Sequence, residues 1–190
     1  MSEADARPVW LLDVDGVVNA AAVRPKDAVW PQWRTGWATA IGSSWPITWA
    51  PPVVEAINRV HDSGLAEIRW LTTWQEEANG SLAQLLGLPE LAVVPRPAEP
   101  EGRRGPHGFL GVRAGASGSW WKLAAARRLL DPEPHRPLVW TDDDLVWEDD
   151  AREWADRRPG PTLLVAPATD VGLTADHLAA IEEFCADAGP

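Results

Sequence analysis

Two aspartates two positions apart, Asp13 and Asp15, follow a short apolar run and precede a glycine in Leu11-Leu12-Asp13-Val14-Asp15-Gly16-Val17-Val18-Asn19. At a strand end, side chains at i and i+2 project to the same side, so both carboxylates can serve one place. Gly16 lets the backbone turn sharply away. A second apolar run ends in Trp70-Leu71-Thr72-Thr73-Trp74, which offers a hydroxyl from Thr72 or Thr73. A later one ends in Trp140-Thr141-Asp142-Asp143-Asp144 and adds three carboxylates, and Lys122 precedes it as one of only two lysines. Clustered carboxylates repel one another and stay ionised only where cations compensate them. An all-oxygen ligand set favours Mg²⁺. A compact ammonium at Lys122 suits contact with both a carboxylate and a phosphate, as a point charge.

The elements that must position these residues alternate. Strands are predicted at Val9–Leu12, Ile68–Leu71, Leu91–Val94, Leu138–Trp140 and Leu163–Val165. Helices are predicted at Pro51–Asp62 with Gly64 as a stop, Gln75–Leu86 closed by Gly87, Ser119–Leu130, Leu145–Arg157 and Thr174–Ala188. Strands alternating with helices imply a mainly parallel sheet covered on both faces, an α/β/α sandwich. Ligands of such sheets bind beyond the carboxyl ends of the strands, where the motifs above fall. The stretch from Trp30 to Trp49 breaks the alternation, and Gly42-Ser43-Ser44 inside it predicts a β-hairpin overhanging the site. Residues 95–119, rich in Pro, Gly and Arg, read as a long loop.

The chain of 190 residues suits one domain spanning 1–190, with the hairpin at 20–50 as an insertion. Hydrophobic residues make up 45%, enough for a sizeable core. No run approaches the ~20 apolar residues that cross a bilayer, and Met1–Pro8 lacks the basic start of a signal peptide. A cytoplasmic location is expected, and the single cysteine, Cys185, agrees with it. The net charge of −11 repels long nucleic acid in general. A small molecule or nucleotide is therefore expected as partner ahead of a long nucleic acid, and no membrane is.

The ordered set resembles the haloacid-dehalogenase-like (HAD-like) phosphatases: Asp-x-Asp-Gly after the first strand, Thr after the second, Lys in a later helix, an acidic pair after the fourth. The resemblance spans residues 9 to about 144, and the last strand and helix also fit. It implies a Rossmann-like HAD fold and a Mg²⁺-dependent phosphatase. By that resemblance Asp13 is the nucleophile that forms an aspartyl-phosphate, and Asp15 is the acid/base and lends its backbone carbonyl to the metal. Thr72, or Thr73, holds a phosphoryl oxygen, and Lys122 neutralises Asp13 and the transferring group. Asp143 ligates Mg²⁺, with Asp142 joining directly or through water. Trp70-Leu71-Thr72-Thr73-Trp74 also resembles a small branch associated with nucleic-acid repair modules.

Each residue also has a plainer reading. Asp13–Gly16 alone is a turn, Asp144 a helix cap, Thr72 a strand residue, Lys122 a solvated helix residue, and His61, His107, His135 and His177 share no ligand spacing. The joint constellation decides for the site. The intervals around it leave room for no full cap domain, so an open site is expected, with Gly16, Thr73 and Arg34 at the substrate and Arg96, Arg103, Arg104 and Arg113 as further anion-binding candidates. The tryptophans at 30, 33, 37, 45 and 49 either pack the hairpin onto the core or wall the substrate. Rival readings are a phosphotransferase to a sugar or nucleoside hydroxyl, a polynucleotide-end phosphatase, and a non-catalytic module that docks phosphorylated ligands.

Overall fold

The computed structural model describes residues 7–22, 29–97 and 120–189. Five strands form a parallel sheet in the order β5-β4-β1-β6-β7: β1 (Val9–Leu12), β4 (Glu67–Trp70), β5 (Ala92–Val93), β6 (Leu138–Thr141) and β7 (Thr162–Val165). β1 is central and wholly buried, in register from Val9 opposite Glu67 on one side and Leu138 on the other. Its unbroken apolar sequence is what a strand covered on both faces requires. Trp10 and Leu12 enter one core layer and Val9 and Leu11 the other. On the first face lie α1 (Pro51–Ser63), α2 (Ser81–Leu86) and α5 (Ala175–Ala188). On the second lie α3 (Trp121–Leu130) and α4 (Asp149–Arg157). This is the expected three-layer α/β/α architecture with a Rossmann-like sheet.

Helix ends follow the sequence chemistry. α1 starts on Pro51-Pro52, where the missing N–H costs nothing, and ends at Gly64 in the left-handed region. α5 begins one residue later than expected because Thr174 caps it: Thr174 Oγ1 accepts from His177 N–H, and Thr174 N–H donates to His177 Nδ1. Two expected helices are split. Gln75–Leu86 is a 3₁₀ turn, Gln75–Asn79, then a break at Gly80 (ψ −123°), then α2. Leu145–Arg157 is a 3₁₀ turn at Asp143–Val146 followed by α4, because the Arg152 guanidinium takes the carbonyls of Leu145 and Val146 at 2.6 and 2.8 Å. The cap before that turn is Asp142, not Asp144: its Oδ1 accepts from Asp144 N–H at 3.1 Å.

The hairpin is present as β2 (Arg34–Ala40) and β3 (Ser43–Trp49), turned at Ile41 and Gly42, both at positive φ, so Ser43 and Ser44 already belong to β3. It lies against the turn at 75–79 and α2: Ile41 N–H donates to Glu77 Oε2 and Thr39 N–H to Ser81 Oγ. A side chain at Gly36 would collide with Leu85, so that glycine sets the approach. Trp30 and Trp49 are buried in the first core layer, and Trp33 and Trp45 pack against it. Only Trp37 among these five is exposed, at 68%. Most of the expected loop 95–119, with Arg103, Arg104 and Arg113, lies outside the described residues. Among the described residues no helix is long and apolar enough to cross a membrane.

Candidate active site

Three neighbouring strands deliver their next residues to one edge. Asp13 N–H donates to Thr141 O at 3.1 Å, Leu71 N–H to Leu12 O at 2.9 Å, and Asp142 N–H to Val165 O at 3.1 Å. The parallel ladder therefore continues just past β1, β4 and β6 and sets Asp13 level with Leu71 and Asp142, with Thr72 one residue further on. Thr141, fully buried, locks the centre. Its Oγ1 accepts from Trp10 Nε1 at 3.1 Å and donates to Leu11 O at 3.2 Å.

Lys122, in the first turn of α3, places Nζ 2.8 Å from Asp13 Oδ2 and 2.7 Å from Asp142 Oδ2, with all three side chains buried. Trp120 covers the ammonium with its ring face, 5.6 Å from the centroid, and itself stacks on Trp140 at 5.2 Å. Asp143 completes the cluster: carboxylate oxygens of Asp13, Asp142 and Asp143 lie within 4.8 Å of one another. Its Oδ2 accepts from Thr169 Oγ1 at 2.6 Å. Gly16, at φ 76°, owes its identity to this neighbour. A Cβ there would overlap three atoms of the Asp143 carboxylate, the farthest at 2.7 Å.

The charges do not balance, since one ammonium faces three carboxylates. Burial opposes the charge on Lys122, but Asp13 and Asp142 overcome that and hold the ammonium above its usual range. Burial pushes Asp142 well up, with repulsion from Asp13 adding to it and Lys122 offsetting only part. Burial likewise pushes Asp143 up to about 6, against the Thr169 hydrogen bond, and Asp13 and Asp144 add to the rise. A surplus of anionic oxygen ligands in a nearly dry corner is the donor set that a hard divalent cation such as Mg²⁺ takes. These residues fit one.

Asp15 is handled separately. Its Oδ1 accepts from Asn19 Nδ2 at 2.8 Å and its Oδ2 from Trp74 Nε1 at 2.9 Å. Burial raises its pKa, and these two donors work against that rise. Thr72 is fully buried and its Oγ1 accepts from Trp74 N–H at 3.3 Å, while Thr73 is half-buried. Gln75, a non-glycine at φ 49°, fastens this turn: its Nε2 donates to Thr72 O and its Oε1 accepts from Arg96 N–H. The Arg96 guanidinium lies over Trp121 at 5.3 Å, beside Lys122 in sequence. Arg34 is exposed at the start of β2 opposite Trp49, and no hydrogen bond or ion pair among the described residues joins it to the acidic cluster.

The structure thus adds Asn19, Trp74, Gln75, Trp120 and Thr169 to the residues expected from sequence. Asn19 and Trp74 stand inside the motifs already singled out, so proximity to Asp13 and Thr72 was an available signal. Thr169 comes from the loop after β7 and had none.

Residues 9–178 match the family described as "HAD domain in Swiss Army Knife RNA repair proteins". No curated protein and no solved structure matches the chain. The match takes in every strand of the sheet, both aspartates after β1, the Thr72 turn, Lys122 and the acidic cluster. The chain belongs to the HAD-like domains of the Swiss Army Knife RNA repair family.

Proposed function

We propose that this protein is a Mg²⁺-dependent phosphomonoesterase that removes the terminal phosphate of a nucleotide or polynucleotide end, with Asp13 as its nucleophile. The observation that carries the reading is the Lys122 ammonium bridging Asp13 and Asp142 beside Asp143, with a second carboxylate, Asp15, held apart two residues on. HAD-like domains generally are hydrolases that act on phosphorylated substrates and use Mg²⁺. The family's place in RNA repair proteins supports a polynucleotide end over a metabolite.

In this reading Asp13 attacks phosphorus in line and forms an acyl phosphate while the bond to the leaving oxygen breaks. Asp15 gives its proton to that oxygen. It then takes a proton from the water that attacks the aspartyl-phosphate, releasing phosphate and restoring Asp13. Lys122 neutralises Asp13 and the transferring group. Thr72 already accepts from Trp74 N–H, which leaves its own O–H to donate to a phosphoryl oxygen; Thr73 is the alternative. Gly16 keeps the cluster open, and Arg34 and Arg96 bind anionic parts of the substrate next to the scissile phosphate. A Mg²⁺ ion held by Asp13, Asp142, Asp143 and the Asp15 backbone carbonyl would stabilise charge on the phosphoryl oxygens. The net charge of −11 favours engagement of a short end segment over a long duplex.

The test is phosphate release from 3′- and 5′-phosphorylated oligoribonucleotides, with Mg²⁺ and with EDTA, for wild type and Asp13→Asn. Beryllium fluoride with Mg²⁺ is added in parallel to trap Asp13. Release that needs Mg²⁺ and Asp13 is expected, together with an adduct on Asp13. No release and a bare Asp13 would move the reading to a module that docks phosphorylated ligands.

A further inference from the structure

Asp15 reaches its position through two side chains from different parts of the chain. Trp74, 1% exposed, arrives after β4 and donates its indole N–H to Asp15 Oδ2 at 2.9 Å. Asn19, 5% exposed, closes the turn after β1 and donates to Asp15 Oδ1 at 2.8 Å. Each oxygen of the carboxyl group therefore has its own donor, which fixes the plane of the group and not merely its location. Both donors are themselves anchored. Asn19 Oδ1 accepts from Thr48 N–H at 2.8 Å, and Asn19 O accepts from Gly16 N–H at 2.8 Å. Trp74 N–H rests on Thr72 Oγ1 at 3.3 Å. An indole N–H is a donor only, and the amide NH₂ of Asn19 likewise donates. Neither can take a proton from Asp15, so the clamp holds the carboxyl without drawing off its proton.

We infer that Trp74 and Asn19 are positioning residues that clamp the Asp15 carboxyl for proton transfer to the leaving oxygen. The inference rests on the phosphatase reading above. The clamp joins three separate pieces at one carboxyl group: the turn after β1, the Thr72 turn and, through Thr48, the base of the hairpin. A tryptophan that served only to fill the core would affect all substrates alike. In the first step, cleavage of the bridging bond, a clamp on the acid affects only the substrate whose leaving atom needs a proton; hydrolysis of the aspartyl-phosphate is common to both.

The experiment uses a pair of oligoribonucleotides with the same terminal phosphate. In one the scissile bridging atom is oxygen, and in the other it is sulfur, which departs as a thiolate without protonation. Asp15→Asn provides the reference for loss of the acid. Trp74→Phe and Asn19→Ala are each expected to lower kcat/KM for the oxygen substrate by roughly 10- to 100-fold. Read from leaving-group release, this ratio reports the first step alone; there the sulfur substrate should stay near wild type, as it should for Asp15→Asn, whose lost base slows only the later hydrolysis of the aspartyl-phosphate. Cooperative thermal melting checks the fold of each variant, and the two variants lie on separate elements, so either alone carries the test. Equal losses on both substrates would overturn the clamp while leaving the phosphatase reading intact. Wild type that releases phosphate from neither substrate would overturn the phosphatase reading, and the clamp with it.

Discussion

Replacing Lys122 with methionine removes the one cation that, among the described residues, bonds to this carboxylate cluster, and keeps most of the side-chain volume. Its Nζ lies 2.8 Å from Asp13 and 2.7 Å from Asp142. At an effective dielectric of ~20, each such contact amounts to about 6 kcal/mol. Desolvation of the ammonium cancels much of this, and breaking one side of a buried ion pair costs about 3–5 kcal/mol net, because the remaining charge stays buried. For a chain of this size that corresponds to a fall in Tm of roughly 6–20 °C. The pH dependence has a defined sign. Lys122 has a raised pKa in the folded protein, so its contribution is complete below its ordinary value of 10.5 and does not vary across neutral pH. Asp142 has a raised pKa, so the folded state binds its proton more readily than the unfolded chain, and stability is regained as pH falls through that range. Loss of Lys122 raises it further. Asp143, pushed up to about 6, sets the window: metal-free Lys122→Met should melt far below wild type near pH 7.5, and the deficit should shrink towards about pH 5. Circular-dichroism melts in EDTA at both pH values measure this. A variant within about 2 °C of wild type near neutrality, or a deficit that does not shrink in acid, would refute the reasoning.

Two further substitutions probe the cluster from its edges. Thr169→Val removes the hydroxyl that fixes Asp143 and should weaken Mg²⁺ binding by about 10–100-fold while leaving the Tm of the metal-free protein nearly unchanged, as titration calorimetry and melting will report. Gly16→Ala puts a Cβ into the Asp143 carboxylate and forces a left-handed backbone on alanine. The backbone term alone is about 1–2 kcal/mol, and Mg²⁺-induced stabilisation in a melt should be lost more completely than the Tm itself.

The sequence carried those parts of the fold that depend on neighbours in the chain. The apolar run Val9–Leu12 reads as a covered strand because nothing polar interrupts it, and Gly64 and Gly87 mark helix ends because both take positive φ. The four site motifs were legible for the same reason, each being a short string at a strand or helix end. What was not legible depends on distant partners. The split before α4 comes from one arginine reaching back to two carbonyls, and the helix expected from Gln75 fails because Gln75 turns to hold Thr72 and Arg96. Asp144 is the cap expected from sequence; Asp142 takes the role because the ladder to β7 delivers it buried, in reach of Asp144 N–H. Thr169 meets Asp143 across 26 positions, and no local pattern announces such a contact.

The place of β1 at the middle of the sheet has a consequence for how the molecule is made. Its two neighbours are β4 and β6, and the side-chain bond that ties it to β6, between Trp10 and Thr141, spans 131 positions. During synthesis the strand bearing Asp13 leaves the ribosome well before β6, fully apolar, and waits unpaired on one side until β6 has followed. Closing so long a loop costs entropy before any contact rewards it, which slows folding and leaves intermediates prone to association. Asp13 and its counter-charge at Lys122 thus come together late, and a chain halted before β6 displays a hydrophobic strand with one edge unpaired, ending in two uncompensated carboxylates.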